Sequence, residues 1–245
     1  MQVSKYNASG NDFVIFHTFV QRNYSALAKE LCHRQEGIGA DGLIVLIPSS
    51  EADFKWLFYN SDGSHAAMCG NGSRACAHYA FANGLANEQM KFTTDAGLIS
   101  STVDGDIVES ELTEVKKLAD KFTDMGREWY FYDTGVPHLV SEVTNLDEYD
   151  KELASKMRYK YNANVNFVLN DGKALHVRTY ERGVEDETGA CGTGMTACFY
   201  SLHVEGKVED KSKVYPTSKE ELSLRISRGR LFFKGKVKRV FETNI

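Results

Sequence analysis

The chain has 245 residues, of which 42% are hydrophobic and 26% charged, and its formal net charge is −5. This length suits one large domain or two ordinary ones, and the composition is typical of a soluble globular protein. The negative charge, with no basic cluster on a predicted helix, argues against nucleic-acid binding. The longest apolar run, GLIVLI at 42–47, is too short to span a bilayer, and residues 1–16 lack signal-peptide features. We therefore expect a cytoplasmic protein without membrane contact.

The first half of the sequence predicts alternating strands and helices. In chain order, these are strands at 4–6 and 13–17, a helix at 25–36 with Ser25 as its N-cap, strands at 42–47 and 53–59, an alanine-rich helix at 70–82, and short strands at 91–94, 98–103 and 107–112. The segment GIGADG at 37–42 matches a GxGxxG pattern. A dinucleotide site needs a strand before this pattern and a helix after it, whereas here the order is inverted, so a glycine turn is predicted.

The second half repeats the same order after a polar segment, 113–128, which we interpret as a domain junction. The predicted elements are strands at 129–132 and 138–143, a helix at 146–156, strands at 164–169 and 175–181, a helix at 192–203, and strands at 222–226, 231–233 and 237–241. This repetition predicts an internally duplicated α+β unit.

One octapeptide occurs in both halves: CGNGSRAC at 69–76 and CGTGMTAC at 191–198. The two copies are separated by almost half of the 245 residues. Before each copy, a predicted strand ends in tyrosine and a polar residue, Tyr59-Asn60 and Tyr180-Glu181. The agreement of spacing and flanking residues favours duplication over chance similarity.

The five cysteines show no CxxC spacing and the seven histidines are scattered, so no metal site is predicted. Within a helix, cysteines seven residues apart are separated by about 10.5 Å along the axis, whereas a disulfide needs Cα atoms within about 7 Å. Neither octapeptide can therefore form an internal disulfide. We expect Cys76 and Cys198 to face the core, and Cys69 and Cys191 to lie at the helix starts.

A Cys-Gly-x-Gly sequence at a helix N-terminus combines a thiol with a site for an anion. The first backbone N–H groups lack helical partners, glycine permits close approach of a ligand, and the positive end of the helix dipole is expected to lower the thiol pKa. Two such thiols suit inversion at a carbon next to a carboxylate. One thiolate would remove the α-proton from one face, the other thiol would protonate the opposite face, and the pair would titrate as a coupled unit.

Other interpretations of the cysteines remain open at this point. Both could be small buried residues, or they could form a reversible disulfide in a non-catalytic redox sensor or binding module. A cysteine-protease-like site using His65 or His138 would leave the second cysteine unexplained.

Several motifs resemble those of the diaminopimelate epimerase family. They are NSDGS at 60–64 followed by CGNGSR at 69–74, and ERGV at 181–184 followed by ACGTG at 190–194. SGNDFV at 9–14, GIGADG at 37–42, GVPH at 135–138 and NVNF at 164–167 fall in the family's order, so the resemblance covers essentially the whole chain.

The resemblance implies an enzyme that needs no cofactor and interconverts LL- and meso-diaminopimelate for lysine and peptidoglycan synthesis. It also implies two pseudo-symmetric halves, each with strands curved around a central helix and with the active site in the cleft between them. The last strand is expected to return to the first half, which predicts domains at 1–113 with 236–245 and at 114–235. A homodimer is expected, with Phe241 at its interface.

The resemblance also assigns residues. Cys69 and Cys191 are expected to be catalytic, with Cys69 donating and Cys191 accepting a proton in the LL-to-meso direction. His138 and Glu181 are expected to tune or position the reacting centre. The expected substrate-binding residues are Asn11, Asn60, Gly70, Asn71, Asn164, Glu181, Arg182, Gly192 and Thr193. Among them, Arg182 suits the distal carboxylate, and the helix-start residues suit the reacting carboxylate.

Two positions depart from the family pattern. Gly42 stands where glutamine is frequent and Val136 where asparagine is frequent, and the loop before Cys191 is one residue longer than expected. A proline or hydroxyproline racemase is therefore an alternative on the same architecture. The second amino-acid head of diaminopimelate distinguishes the two, because Arg182, Asn60 and Asn164 suit that head and proline lacks it.

Overall fold

The chain is described over residues 1–245 in a computed structural model. The elements in chain order are β1 (Gln2–Ala8), β2 (Asn11–His17), α1 (Ser25–Cys32), β3 (Gly42–Ile47), β4 (Phe54–Asn60), α2 (Gly70–Ala82), β5 (Gln89–Thr94), β6 (Gly97–Asp104), β7 (Ile107–Glu111), β8 (Lys116–Asp124), β9 (Arg127–Asp133), β10 (Pro137–Val143), a 3-10 helix (Leu146–Glu148), α3 (Lys151–Tyr161), β11 (Asn164–Asn170), β12 (Ala174–Glu181), β13 (Asp186–Thr188), α4 (Gly192–Val204), β14 (Lys211–Pro216), β15 (Leu222–Ser227) and β16 (Arg230–Asn244). The α+β class predicted from the sequence is confirmed.

The chain divides into two compact units. Unit 1 comprises Met1–Leu112 and Lys234–Ile245, and unit 2 comprises Thr113–Phe233. None of the helices is long and apolar enough to cross a bilayer.

Unit 1 is a closed barrel of eight strands around one helix. Its strands follow the order β1 to β7 and then β16, and β16 also pairs antiparallel with β1, from Gln2 opposite Asn244 to Ala8 opposite Val237. Closure leaves no free edge in this sheet. Ala75, Cys76 and Tyr79 of α2 are buried among aromatic and aliphatic side chains of the barrel. Helix α1 packs in a second cluster, against β2, β3 and β4.

Unit 2 also places strands around a central helix, α4, but its strand order ends at β8 without closing. The order is β16 (residues 230–233), β15, β14, β12, β11, β10, β9 and β8, and the short β13 pairs with β12. Helix α4 packs against β9, β10, β11, β12 and β14, and most of its residues are buried. Helix α3 packs against β11 and β12 in a cluster with Trp129 and Phe167. The predicted duplication of strands around a central helix is therefore confirmed.

Several details of the secondary-structure prediction are wrong. Tyr24, not Ser25, is the N-cap of α1, because the Ser25 hydroxyl donates to the Gly63 carbonyl 2.6 Å away, and the helix ends at Cys32. The predicted helix at 146–156 is a 3-10 turn followed by α3, which begins after Asp150, whose carboxylate caps two backbone N–H groups. The strands predicted at 231–233 and 237–241 are one strand, β16, and neither β13 nor β14 was predicted.

A further correction concerns the polar segment 113–128, which was interpreted as a domain junction and in which no strand was predicted. It contains β8, and β9 begins at Arg127. Strand β8 stands at the end of the strand order and pairs only with β9. Edge strands are commonly rich in charged residues, since these disfavour pairing with other chains, and such a strand resembles a linker in sequence. The glycine turn predicted at 37–42 is confirmed, with Gly39 at φ +75°, three residues before the start of β3.

Candidate active site

Both octapeptides begin a central helix, as predicted. Cys69 is the N-cap of α2 and Cys191 is the N-cap of α4, and both have extended backbones, at φ −149° and −123° respectively. Cys76 and Cys198 are fully buried, which confirms their predicted core positions, and all five cysteines are free thiols. Each Cys-Gly-x-Gly segment therefore presents one sulfur beside the unpaired N–H groups of a helix start.

The sulfur of Cys69 is held by the backbone of its own helix. The Gly72 N–H donates to Cys69 Sγ over 3.4 Å, and the Ser73 N–H donates to the Cys69 carbonyl over 2.8 Å. Burial of the sulfur raises the pKa of the Cys69 thiol, and the N–H groups of Gly72 and Asn71 and the Arg74 guanidinium oppose this effect without overcoming it.

A chain of amide hydrogen bonds lies beside Cys69. Asn71 Nδ2 donates to Asn11 Oδ1 over 2.6 Å, and Asn11 Nδ2 donates to Asp41 Oδ2 over 3.1 Å. The buried Arg74 donates from Nη2 to Asn71 Oδ1 over 2.6 Å. Two predicted substrate-binding residues, Asn11 and Asn71, are thus in direct contact. The prediction missed Asp41 and Arg74, although both lie within motifs that had been singled out.

Gly42 and Asn60 are opposite each other in the β3–β4 pair. Asn60 Nδ2 donates to Ser64 Oγ over 2.9 Å, which fixes the loop that follows β4. A Cβ atom on Gly42 would lie 2.5 Å from Cε2 of Phe58 and 2.8 Å from the Tyr59 carbonyl oxygen. The Phe58 ring therefore occupies the space that a side chain at position 42 would need.

Cys191 has a different environment from Cys69. Its side chain makes no capping hydrogen bond with the helix, and its Sγ lies 3.5 Å from the Thr193 hydroxyl oxygen. Burial and the nearby Glu181 carboxylate raise the pKa of the Cys191 thiol to about 12, against the opposing effects of the Thr193 hydroxyl and of the Gly194 and Thr193 N–H groups. The expectation that the helix start would give a lowered thiol pKa is therefore wrong in its net direction for both cysteines, because desolvation outweighs the helix dipole.

His138 is buried within hydrogen-bonding distance of three side chains. Its Nε2 lies 2.9 Å from Thr193 Oγ1 and 3.3 Å from Asn164 Nδ2, and its Nδ1 lies 3.0 Å from Asn166 Nδ2. Burial lowers the pKa of His138 to about 3, so the imidazole is neutral at physiological pH. His138 thus reaches Cys191 through Thr193, and it does so as a neutral group. Asn166 was not among the predicted site residues, because a single asparagine within a strand carries no recognisable signal.

The remaining predicted residues of unit 2 cluster where β11 begins and β12 ends. Asn164 Oδ1 accepts from the Arg182 backbone N–H over 2.8 Å, Arg182 Nη1 donates to the Asn162 carbonyl over 3.0 Å, and Glu181 Oε2 accepts from the Thr188 hydroxyl over 2.8 Å. Asn164, at the start of β11, therefore links the end of β12 to His138, because its side chain contacts both the Arg182 N–H and the imidazole.

For four predicted positions, the structure gives only a backbone contact, a place in a helix or a surface position. The Val136 carbonyl accepts from the Thr134 N–H over 3.2 Å, and the Thr134 hydroxyl in turn donates to the Thr193 carbonyl over 2.9 Å. Gly70 and Gly192 are the first residues of α2 and α4. Phe241 is 44% exposed on β16, opposite Lys5 of β1.

Solved structures with the same fold define the structural class of the chain. A probable proline racemase from Agrobacterium radiobacter superposes with a TM-score of 0.75 at 14% identity, covering 100% of this chain and 92% of that one. A hydroxyproline epimerase from Agrobacterium vitis superposes with a TM-score of 0.74 at 15% identity, covering 99% and 91%. At these identities the similarity establishes the fold.

Sequence comparison identifies the family. The family model described as diaminopimelate epimerase matches residues 3–118 and 130–240. The chain is 59% identical to the diaminopimelate epimerase of Nitratiruptor sp., over 99% of this chain and 98% of the relative. It is 55% identical to that of Campylobacter jejuni over 100% and 98%, and 40% identical to that of Helicobacter pylori over 96% and 92%. The chain belongs to the diaminopimelate epimerase family.

Proposed function

We propose that the protein is an isomerase that interconverts LL-2,6-diaminopimelate and meso-diaminopimelate through the thiols of Cys69 and Cys191, without a cofactor. One observation carries the proposal. In a chain of this family, each of two repeated units has a cysteine as the N-cap of its central helix. The reaction supplies meso-diaminopimelate for the synthesis of lysine and peptidoglycan.

The proposed reaction inverts the α-carbon by two proton transfers. In the LL-to-meso direction, the Cys191 thiolate takes the α-proton, and the electron pair of the broken C–H bond is delocalised into the neighbouring carboxylate. The Cys69 thiol then gives its proton to the opposite face, so the two sulfurs exchange protonation states in each turnover. Unpaired N–H groups at the helix starts, from Gly70, Asn71, Gly192 and Thr193, would stabilise the charge that develops on the carboxylate.

The polar side chains support recognition of an amino acid with a second head group. Arg182 offers a guanidinium for a distal carboxylate, while Asn60 and Asn164 offer amides for the distal amino and carboxylate groups. We assign Asn11 to the binding site because it contacts Asn71 directly. Glu181 and His138 would position and tune Cys191, the first through its negative charge and the second through Thr193.

We also propose how the molecule is organised in the cell. Each structural unit would act as a half-domain that supplies one thiol, with boundaries close to 113 and 235. The protein would be a cytoplasmic homodimer with the exposed Phe241 at the interface. Size-exclusion chromatography with light scattering, on the protein and on a Phe241→Glu variant, tests the last point, and a monomeric wild type at micromolar concentration would contradict it.

The first prediction concerns the two thiols. In deuterium oxide, LL-diaminopimelate should gain deuterium at one α-carbon while meso-diaminopimelate forms, as followed by NMR and mass spectrometry. Cys69→Ser and Cys191→Ser should each lower kcat by about 10²-fold or more, because a hydroxyl is a much weaker acid than a thiol and so neither gives up its proton readily nor ionises to act as a base near neutral pH. Cys32→Ala is a matched control, since it removes a buried thiol outside α2 and α4 and should retain activity.

Three outcomes would contradict this function. Full turnover by both serine variants would exclude the two-thiol mechanism. Faster turnover of a proline isomer than of diaminopimelate would favour the racemase alternative. Absence of isomerisation, together with a Cys69–Cys191 disulfide that forms and reduces reversibly in thiol titrations, would favour a redox protein.

A further inference from the structure

Corresponding strands of the two units carry different side chains where they pack against the first turn of the central helix, α2 in unit 1 and α4 in unit 2. In unit 1, Phe13 of β2 is opposite Gly42 of β3, and Ile44 of β3 is opposite Phe58 of β4. A Cβ atom on Gly72 of α2 would meet Cδ1 of Ile44 at 3.4 Å. The first turn of α2 therefore rests on apolar side chains.

In unit 2, the same registers hold polar side chains. His138 of β10 is opposite Asn164 of β11, and Asn166 of β11 is opposite Thr179 of β12. A Cβ atom on Gly194 of α4 would lie 2.4 Å from Asn166 Oδ1. Burying a polar side chain destabilises the fold unless the side chain is fully hydrogen-bonded. The polar side chains packed under α4, where α2 has apolar ones, therefore indicate a function.

The orientation of the Asn166 amide is fixed by its neighbours. Its Nδ2 donates to the Leu139 carbonyl over 2.8 Å, and its Oδ1 accepts from the Thr179 hydroxyl over 2.8 Å. The nitrogen of the amide, not its oxygen, therefore faces Nδ1 of His138 at 3.0 Å. An amide nitrogen can only donate, so Nδ1 must accept, and the single proton of the neutral imidazole must be on Nε2.

The position of this proton determines the role of the Thr193 hydroxyl. Nε2–H donates to Thr193 Oγ1 over 2.9 Å, which leaves the proton of the hydroxyl free to point to another acceptor. The sulfur of Cys191 lies 3.5 Å from the same oxygen. Asn164 Nδ2 favours the opposite tautomer, but it is farther from Nε2, at 3.3 Å, and it also has the Pro137 carbonyl as an acceptor.

We propose that Asn166 is a positioning residue which, by fixing the Nε2–H tautomer of His138, makes the Thr193 hydroxyl a hydrogen-bond donor to the sulfur of Cys191. We call the series of contacts from Asn166 through His138 and Thr193 to the Cys191 sulfur the relay. Its role in catalysis rests on the function proposed above, whereas its geometry does not. The sulfur of Cys69 receives its donor from the backbone N–H of Gly72. Cys191 has no such capping bond. The N–H groups of Gly194 and Thr193 also favour its thiolate, and the relay adds a side-chain donor to them.

The relay acts on the ionisation of Cys191. A hydrogen bond donated to sulfur stabilises the thiolate more than the thiol. The charged groups that bear on this site are Glu181, which disfavours the thiolate, and Arg182, which disfavours protonation of His138. With the opposite tautomer, Nε2 would accept the proton of Thr193 and the sulfur would lose its donor.

The tautomer can be measured directly in the wild-type protein. With ¹⁵N-labelled histidine, the NMR spectrum should show a protonated Nε2 and an unprotonated Nδ1 for His138 between pH 6 and pH 8. The resonance is assigned by its loss in a His138→Gln variant. A protonated Nδ1, or an imidazolium in this pH range, would overturn the proposal.

The donor to sulfur is tested by thiol reactivity. Thr193→Val should slow alkylation of Cys191 by iodoacetamide at pH 8 by about tenfold, which corresponds to about one pKa unit, whereas Thr193→Ser should stay within about twofold of wild type. Cys69, measured in the same digests by peptide mass spectrometry, is an internal reference. Ser201→Ala, which removes a buried hydroxyl from the same helix, is the matched control. Unchanged reactivity of Cys191 in Thr193→Val would contradict the relay.

The role of Asn166 is tested by a double variant, Asn166→Leu with Thr179→Val. Removing both partners of a buried hydrogen bond is less costly than removing one, and the apolar residues at these registers in unit 1 show that such a support can fold. The variant should shift His138 toward the Nδ1–H tautomer and slow alkylation of Cys191. Retention of the wild-type tautomer and reactivity would overturn the proposal. None of these measurements uses diaminopimelate, so a failure of the proposed enzymatic function would be seen separately, in the isomerisation assay.

Discussion

At the scale of single residues, Gly42 shows how a departure from a family pattern is accommodated. The resemblance led us to expect a larger polar residue at this position. Instead, the Phe58 ring fills the space, and the β3 backbone at Gly42 packs directly against it. Position 42 can therefore contribute only backbone groups to any ligand.

The Phe58 contact predicts the effect of Gly42→Gln. A Cβ atom 2.5 Å from the ring forces a rearrangement, so we expect a loss of about 1–3 kcal/mol in the free energy of unfolding, measured by urea denaturation. Adding Phe58→Leu should recover part of that loss. Gly189→Gln is the control, because a Cβ atom there meets nothing closer than 3.9 Å. Equal free energies of unfolding for Gly42→Gln and Gly189→Gln would contradict this prediction, because they would show that the Phe58 ring moves aside without loss of stability.

Single residues also mark the limit of sequence-based prediction. The two N-cap cysteines could be predicted, because their motif is repeated and a thiol at a helix start has a recognisable chemistry. The direction of their pKa shifts could not, since burial depends on side chains from distant parts of the chain and outweighs the local dipole. Asn166 was missed for the same reason, because its role depends on contacts with two neighbouring strands and α4.

At the scale of elements, the first turns of α2 and α4 have the same sequence pattern but different supports. In a helix interior, alanine is favoured over glycine by about 1 kcal/mol. A Cβ atom on Gly72 meets only carbon atoms, at 3.3–3.4 Å, whereas one on Gly194 meets the Asn166 oxygen at 2.4 Å. The fourth residue of each Cys-Gly-x-Gly segment is therefore glycine for different reasons.

This difference predicts opposite tolerance of alanine. Gly72→Ala should leave thermal stability nearly unchanged, because a small steric cost offsets the gain in helix propensity. Gly194→Ala should lower the free energy of unfolding by about 2 kcal/mol and slow isomerisation, because Asn166 must move. Calorimetry and the isomerisation assay check both variants. Similar behaviour of the two would indicate that Asn166 relaxes freely.

Helices α2 and α4 were predicted within a residue, because their glycine starts and alanine-rich bodies are local signals. Strand β8 was missed because its charged sequence is suited to a sheet edge and lacks the apolar alternation of a half-buried strand. The N-cap of α1 was misassigned because Ser25 has a competing partner, the Gly63 carbonyl, that is distant in sequence. Local sequence patterns thus predicted the central helices, whereas the N-cap of α1 and the pairing of β8 depend on hydrogen bonds to other parts of the chain.

At the scale of the whole molecule, all five thiols share one electrostatic property. Burial raises the pKa of Cys32 and Cys191 to about 12, raises the pKa of Cys69, and raises the pKa of Cys76 and Cys198 well above the ordinary value. In the unfolded chain these thiols ionise near pH 8.5. The folded protein therefore holds protons that the unfolded chain releases, and this stabilisation is complete below about pH 8.5 and is lost as the pH rises above it.

We accordingly predict that the free energy of unfolding falls steeply between pH 8.5 and pH 10. Each thiol should contribute a slope of about 1.4 kcal/mol per pH unit. Urea denaturation in the presence of a reductant, at several pH values, measures the slope, and Cys32→Ala should reduce it by the contribution of one thiol. A free energy that is constant over this range would contradict the burial-based pKa shifts.

Strand β16 has a consequence for the order in which the molecule assembles. It closes the barrel of unit 1 by pairing with β1, yet all of unit 2 except residues 230–233, which begin β16, lies between β7 and β16 in the sequence. During synthesis β16 is therefore translated last. Until then the barrel of unit 1 lacks one strand, and the edges of β1 and β7 that pair with β16 remain unpaired. Because unpaired edges invite association with other nascent chains, this interval is the period in which the polypeptide most needs a chaperone, and rapid folding of the second unit shortens it.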